Sequence, residues 1–115
     1  MTPNLKPVEA LSQVVFIHDY IQLVFQHEGF NIYNTAEVVR DGGVLRQGQV
    51  GYCDALVSLI NQRVTSVAAA EPYKLSLTFE SGVEFHVLSG DDAINSPEAY
   101  EFRGADNLWI VESNA

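Results

Sequence analysis

The chain has 115 residues and a formal net charge of -9, because 15 acidic side chains stand against 6 basic ones. Its composition is 47% hydrophobic, which excludes a disordered or collagen-like chain, and no apolar run approaches the ~20 residues of a membrane span. The acidity argues against a nucleic-acid partner, since phosphate contacts need clustered Lys and Arg. Length favours a single domain over residues 1–115, and the lone cysteine, Cys53, fits a reducing cytoplasm.

The first third of the chain predicts a three-stranded β-meander. Residues 14–17 form a short apolar run, and residues 20–25 alternate between apolar and polar side chains, as a half-buried strand does. A third strand begins near Phe30, and pairing Phe25 with Phe30 keeps the apolar side chains of both strands on one face. Residues 35–51 are rich in glycine and predict a loop, with a minor hairpin as the alternative.

A second meander is predicted later in the chain. Residues 64–70 and 73–79 form its first two strands. A loop of residues 80–82 pairs Leu77 with Phe85 and ends on a glycine, where left-handed backbone is needed. The two meanders have similar patterns, which indicates either a duplication or the alternation common to half-buried hairpins.

Residues 52–61 predict the main helix, because apolar residues recur there at helical spacing and Asn61 suits its C-terminal end. Cys53 lies on this apolar stripe and is interpreted as a small buried hydrophobe. A second, shorter helical turn is predicted at residues 96–98, and residues 108–112 predict a closing strand. The predicted fold class is therefore α+β, an antiparallel sheet of about five to seven strands in two meanders with one main helix.

Three side chains are candidates for chemistry. His18, Asp19 and His86 could converge as a metal site or as the acid–base groups of a hydrolase. Their spacing matches no zinc signature, however, and alternation places His86 on a polar strand face opposite Ser76. No nucleophile, base and orienting group can be assembled, so the sequence favours a protein that is not an enzyme, with no cofactor.

Acidic residues concentrate toward the end of the sequence. Residues 75–115 hold eight acidic side chains and one basic one, Arg103, whereas residues 1–74 hold seven and five. Such an asymmetry either keeps a protein soluble or steers a basic partner protein. Aromatic residues in the same region, including Phe102 and Trp109, either anchor a partner or complete the core. The candidate binding residues are Glu84, Asp91, Asp92, Glu98, Tyr100, Glu101 and Asp106.

Part of the chain resembles small uncharacterised bacterial proteins. The run LSLTFESGVEF at residues 75–85 and the run SPEAYEF at residues 96–102 are similar to their hairpin and late Pro-Glu-Ala segment. The step from helix to strand at residues 59–64 looks like theirs too. The resemblance covers about residues 50–103 and carries no catalytic residue. Some such families look immunity-like, encoded beside secreted toxins as their neutralising partners, so the resemblance implies that this chain neutralises a toxin.

The predicted function is a non-enzymatic acidic binding protein, whose most specific form is an immunity-like inhibitor of a basic partner. Two alternatives remain open at this point. One is a small metal-binding protein or hydrolase that uses His18, Asp19 and His86. The other is a homo-oligomeric structural unit formed by pairing of sheet edges.

Overall fold

The computed structural model describes residues 5–115, which form two antiparallel β-sheets and one short α-helix. In chain order the elements are β1 (Gln13–Ile17), β2 (Tyr20–Phe25), β3 (Glu28–Ile32), β4 (Ala36–Arg40), β5 (Gly43–Arg46), α1 (Tyr52–Val57), β6 (Val64–Ala68), β7 (Tyr73–Phe79), β8 (Glu84–Leu88), a 3₁₀ helix (Asp91–Ala93), β9 (Glu98–Arg103) and β10 (Trp109–Ser113). Sheet A has the strand order β1-β2-β3-β9-β10, and sheet B has the order β5-β4-β8-β7-β6.

The alternation of apolar and polar residues places the core between the two sheets. On β2, Leu23 and Phe25 are buried while the residues between them are half-buried, and β7 shows the same pattern at Leu75, Leu77 and Phe79. The buried side chains of both sheets and of α1 belong to one hydrophobic cluster. Each large apolar side chain contributes about 1.5–3 kcal/mol when fully buried. The shared core therefore holds the sheets together.

The two halves of the chain exchange hairpins. In the first half, the meander β1-β2-β3 belongs to sheet A, but the hairpin β4-β5 that follows it pairs with β8 in sheet B. In the second half, the meander β6-β7-β8 belongs to sheet B, and the hairpin β9-β10 pairs with β3 in sheet A. One five-strand pattern thus occurs twice, and each sheet needs strands from both halves.

The prediction of an α+β fold with one main helix is wrong. The protein is mostly β: among residues 5–115, 48% lie in strands and 8% in helices. The two meanders exist, but they lie in separate sheets, and each sheet gains two more strands. Residues 35–51 do not form a plain loop: they contain the hairpin β4-β5, which was the alternative prediction for this segment. The helical turn predicted at residues 96–98 is also wrong: the backbone N–H of Glu98 does bond to the Ser96 hydroxyl at 3.3 Å, but the chain then extends into β9.

The predicted strand register is confirmed for the β7-β8 hairpin and is wrong for the β2-β3 hairpin. Leu77 pairs with Phe85 on β7 and β8, as predicted, and Gly82 has the expected positive φ of 91°. On β2 and β3, however, Leu23 rather than Phe25 lies opposite Phe30. The turn there is tighter than predicted because Gln26 adopts a left-handed conformation with φ of 66°.

The helix is shorter than the predicted range of residues 52–61. After Val57 the chain continues in tight turns, with i to i+3 hydrogen bonds such as Leu59 N to Leu56 O at 3.0 Å. The buried face of the helical segment includes Tyr52, Leu56 and Leu59, which leaves Cys53 exposed beside it. The interpretation of Cys53 as a buried hydrophobe is therefore wrong.

Candidate functional site

The outer face of sheet A carries a carboxylate that is held between two aromatic side chains. The Tyr33 hydroxyl donates a hydrogen bond to Glu101 Oε1 at 2.6 Å, and Trp109 Nε1 donates one to Glu101 Oε2 at 2.9 Å. Alternation along β9 explains the position, since Tyr100 and Phe102 point into the core and Glu101 therefore points outward. We call Glu101, Tyr33 and Trp109 the Glu101 site.

The Glu101 site joins three neighbouring strands. Tyr33 directly follows β3, Glu101 lies on β9, and Trp109 begins the edge strand β10, where its side chain is 62% exposed. The ring of Tyr20, on β2, packs against Tyr33 with centroids 5.3 Å apart. Burial, together with the hydrogen bond to Glu101 and the charge of Glu101, raises the pKa of Tyr33 to about 12. Tyr33 is therefore a neutral donor at physiological pH.

Arg103 lies on the same face of β9, two residues beyond Glu101, and is exposed. Within residues 5–115 it forms no ion pair and no hydrogen bond through its side chain. Its neighbours across the strands are Gly29 on β3 and Trp109 on β10. The outer face of sheet A thus presents one negative and one positive group beside exposed aromatic surface.

The predicted acidic residues do not gather into one patch. Glu98 and Glu101 lie on β9 of sheet A, and Asp106 lies in the loop that leads to β10. Asp91 and Asp92 belong to the 3₁₀ helix, and Asp92 pairs with Arg46 at 3.0 Å. Glu84 lies on sheet B. Tyr100 is only 1% exposed and belongs to the core, so its inclusion among the binding residues is wrong.

His18, Asp19 and His86 do not converge. His18 and Asp19 form the exposed turn between β1 and β2 in sheet A, whereas His86 lies within β8 in sheet B. No group of three histidine, cysteine or carboxylate side chains within residues 5–115 is arranged to hold a metal ion. The structure therefore gives no support to the predicted metal or hydrolase site.

His86 has a different environment from the one predicted. It lies opposite Ser76, as expected, but it is 5% exposed instead of solvated. Its Nδ1 lies 3.2 Å from Glu37 Oε2, its Nε2 lies 2.9 Å from Glu84 Oε1, and the ring of Tyr73 stacks on it at 4.0 Å. Because the two carboxylates approach different nitrogens of the ring, they do not face a common point where an ion could bind. We call these four residues the His86 network.

A cleft near α1 brings His18 and Asp19 close to Tyr52 and Cys53, which line it together with the tip of the β1-β2 hairpin. The Tyr52 hydroxyl is buried and has no hydrogen-bond partner among residues 5–115, and burial raises the pKa of this group. No hydrogen bond links the Cys53 thiol to His18 within the described part of the chain.

Sequence reasoning missed Tyr33, Arg103 and Glu37 as members of these sites. Tyr33 and Glu101 are 68 residues apart, so no local pattern joins them. The one available signal was that Arg103 is the single basic residue among many acidic ones.

Comparisons with protein-family models, with curated proteins and with solved structures found no match for this chain. None of the helices between residues 5 and 115 has the length and apolar character needed to span a bilayer. The Glu101 site therefore has to be interpreted from its own chemistry.

Proposed function

We propose that this protein is a non-enzymatic binding protein that holds a basic partner protein on the outer face of sheet A. The observation that carries the proposal is the Glu101 site, in which a half-buried carboxylate is fixed between Tyr33 and the exposed ring of Trp109. A lysine or arginine side chain is attracted both to a carboxylate and to the face of an aromatic ring. The site offers both features at one place.

The hydrogen bonds within the site leave room for such a cation. Each carboxylate oxygen has two acceptor positions, and each oxygen of Glu101 receives one hydrogen bond from its aromatic neighbour. A partner's N–H groups can use the remaining positions. The two internal bonds fix the carboxylate in advance, so little side-chain freedom is lost when the cation binds.

The surroundings of the Glu101 site suit a protein surface as the ligand. Val111 on β10 is 46% exposed and Ile17 on β1 is 37% exposed, so apolar contact area lies on both edge strands of sheet A. Aromatic and apolar anchors with charged neighbours are typical of protein interfaces. The net charge of -9 accelerates the approach of a basic partner at low ionic strength.

The most specific form of the proposal is an immunity-like inhibitor that occludes the basic surface of a toxin in the cytoplasm. It is supported by the resemblance of residues 50–103 to small uncharacterised bacterial proteins, some of which look immunity-like, and by the single cysteine, which suits a reducing compartment.

Trp109 is the only tryptophan, so its fluorescence reports directly on the Glu101 site. We expect an arginine-rich decapeptide to produce a saturable fluorescence change at low salt, and Glu101→Gln to weaken that binding about two- to fivefold, the effect of one exposed charge contact. The matched control is Glu71→Gln, which removes the same charge from an exposed position before β7. Equal weakening by both variants, or by neither, contradicts the proposal. Light scattering of the free protein tests self-association at the exposed edge β10 as the competing explanation.

A further inference from the structure

We infer that the partner's docking segment carries an acidic group beside its basic one, and that Arg103 binds this acidic group. The inference rests on the proposed function and adds the charge order of the partner to it. The observation behind it is that two opposite charges, Glu101 and Arg103, lie on one strand without pairing.

Glu101 and Arg103 are neighbours on the outer face of β9 but do not form an ion pair. Two residues of an extended strand span about 7 Å, and side chains at that spacing can reach each other. Glu101 is instead turned across the sheet, because Tyr33 bonds it from the β3 side and Trp109 bonds it from β10. These two hydrogen bonds keep the carboxylate away from the guanidinium.

Arg103 also has open space around it. Two shallow depressions meet at its side chain and share His27 as a second common residue. One depression extends over Gly29 and the amides of Gln22 and Asn31, and the other reaches Trp109. We call these joined depressions the Arg103 trough.

Gly29 keeps the floor of the Arg103 trough low. A Cβ atom at this position would lie 3.1 Å from the backbone oxygen of Leu23, so the close approach of β2 favours a residue without a side chain. A guanidinium over such a floor can bind a carboxylate with two parallel hydrogen bonds. The amides of Gln22 and Asn31, which bond to each other at 3.0 Å, line the same depression. Glu28 also lines this depression, and its carboxylate accepts a hydrogen bond from Val8 N at 2.9 Å, so the Arg103 guanidinium is the group that favours an acidic side chain.

The spacing of Glu101 and Arg103 along β9 matches that of an extended peptide segment, which we take as the occupant. In an extended chain, residues i and i+2 project on the same side about 7 Å apart, which is the spacing of Glu101 and Arg103 along β9. A segment with a basic residue and an acidic residue at these two positions satisfies both sites at once. Charge complementarity thus points to a mixed-charge strand or loop of the partner protein.

The test compares short peptides by the fluorescence of Trp109. The mixed peptides are Ac-Gly-Arg-Ser-Glu-Gly-amide and its reversed order, Ac-Gly-Glu-Ser-Arg-Gly-amide, because the direction of the segment is not fixed by the two charges. The reference peptide has glutamine in place of glutamate. We expect one mixed peptide to bind about two- to fivefold more tightly than its reference, the effect of one additional exposed charge contact.

Arg103→Gln should abolish this preference while leaving the affinity for the reference peptide within about twofold. Arg40→Gln, which removes the same charge from β4 of sheet B, should retain the preference. Thermal unfolding of each variant checks that the substitution leaves the fold intact. If the reference peptide binds as tightly as both mixed peptides, the role of Arg103 is overturned and the Glu101 site stands. If no arginine-containing peptide changes the fluorescence, the proposed function itself fails.

Discussion

The outer faces of sheets A and B differ in how far the chain satisfies its own polar groups. On sheet B, both ring nitrogens of His86 face carboxylates, and Tyr73 covers the ring, so that the histidine is 5% exposed. On sheet A, Glu101 is held in place but remains half-buried, and Arg103 is exposed without an ion pair inside residues 5–115. The polar groups on sheet B thus bond to one another and are covered, whereas Glu101 and Arg103 on sheet A remain accessible to a partner.

The largest expected effect concerns the His86 network. His86→Ala removes the stacking partner of Tyr73 and leaves the Glu37 side chain, which is 15% exposed, without its hydrogen-bond partner. We expect a loss of about 2–4 kcal/mol in the free energy of unfolding, measured by urea denaturation. His18→Ala, at an exposed turn, should cost less than about 0.5 kcal/mol. If the two variants are equally stable, the His86 network contributes no more to the free energy of unfolding than an exposed turn residue does.

A smaller effect is expected from Tyr33 at alkaline pH. Its pKa is raised from 10.0 to about 12, chiefly by burial and then by Glu101, so the folded state favours the neutral phenol. This contribution to stability is complete below pH 10 and is lost as the pH rises through about 12. The free energy of unfolding of Tyr33→Phe should therefore fall less steeply than that of the native protein over this interval. Tyr20→Phe controls for loss of a hydroxyl that Glu101 does not accept, and identical slopes for Tyr33→Phe and the native protein would contradict the expectation.

Glu101 on sheet A is expected to contribute far less to the free energy of unfolding than His86 on sheet B. Glu101→Gln should change the free energy of unfolding by less than about 1 kcal/mol, because its partners Tyr33 and Trp109 remain partly solvated and can bond to water. The same variant is expected to weaken binding of the arginine-rich peptide. Urea denaturation measures the first quantity and Trp109 fluorescence the second. If Glu101→Gln lowers the free energy of unfolding as much as His86→Ala does, the Glu101 site stabilises the fold as the His86 network does, and the contrast between the two faces is lost.

The local part of the fold could be predicted from the sequence, because alternation and a glycine turn determine a hairpin. The pairing of Leu77 with Phe85 was predictable for that reason. The β2-β3 register was not, since the turn depends on a left-handed Gln26, a conformation that sequence rarely indicates. The exchange of hairpins also escaped prediction, because it depends on pairings between distant strands.

The candidate sites were likewise only partly predictable, because they depend on contacts between distant strands. The acidic character of the C-terminal region was visible in the sequence, and Glu101 was among the predicted binding residues. Its partner Tyr33 was not, and neither was the burial of His86, because Glu37 lies on a strand that was predicted as a loop. Both sites combine residues from strands that only the tertiary fold brings together.

The exchange of hairpins has a consequence for how the chain acquires its structure during synthesis. When the first half leaves the ribosome, β3 has no β9 beside it, and the hairpin β4-β5 has no sheet to join. Both must wait with open hydrogen-bonding edges until the second half emerges. Sheet B can assemble once β8 has emerged, because its strands β4 to β8 are contiguous in the chain, whereas sheet A must wait for β9 and β10.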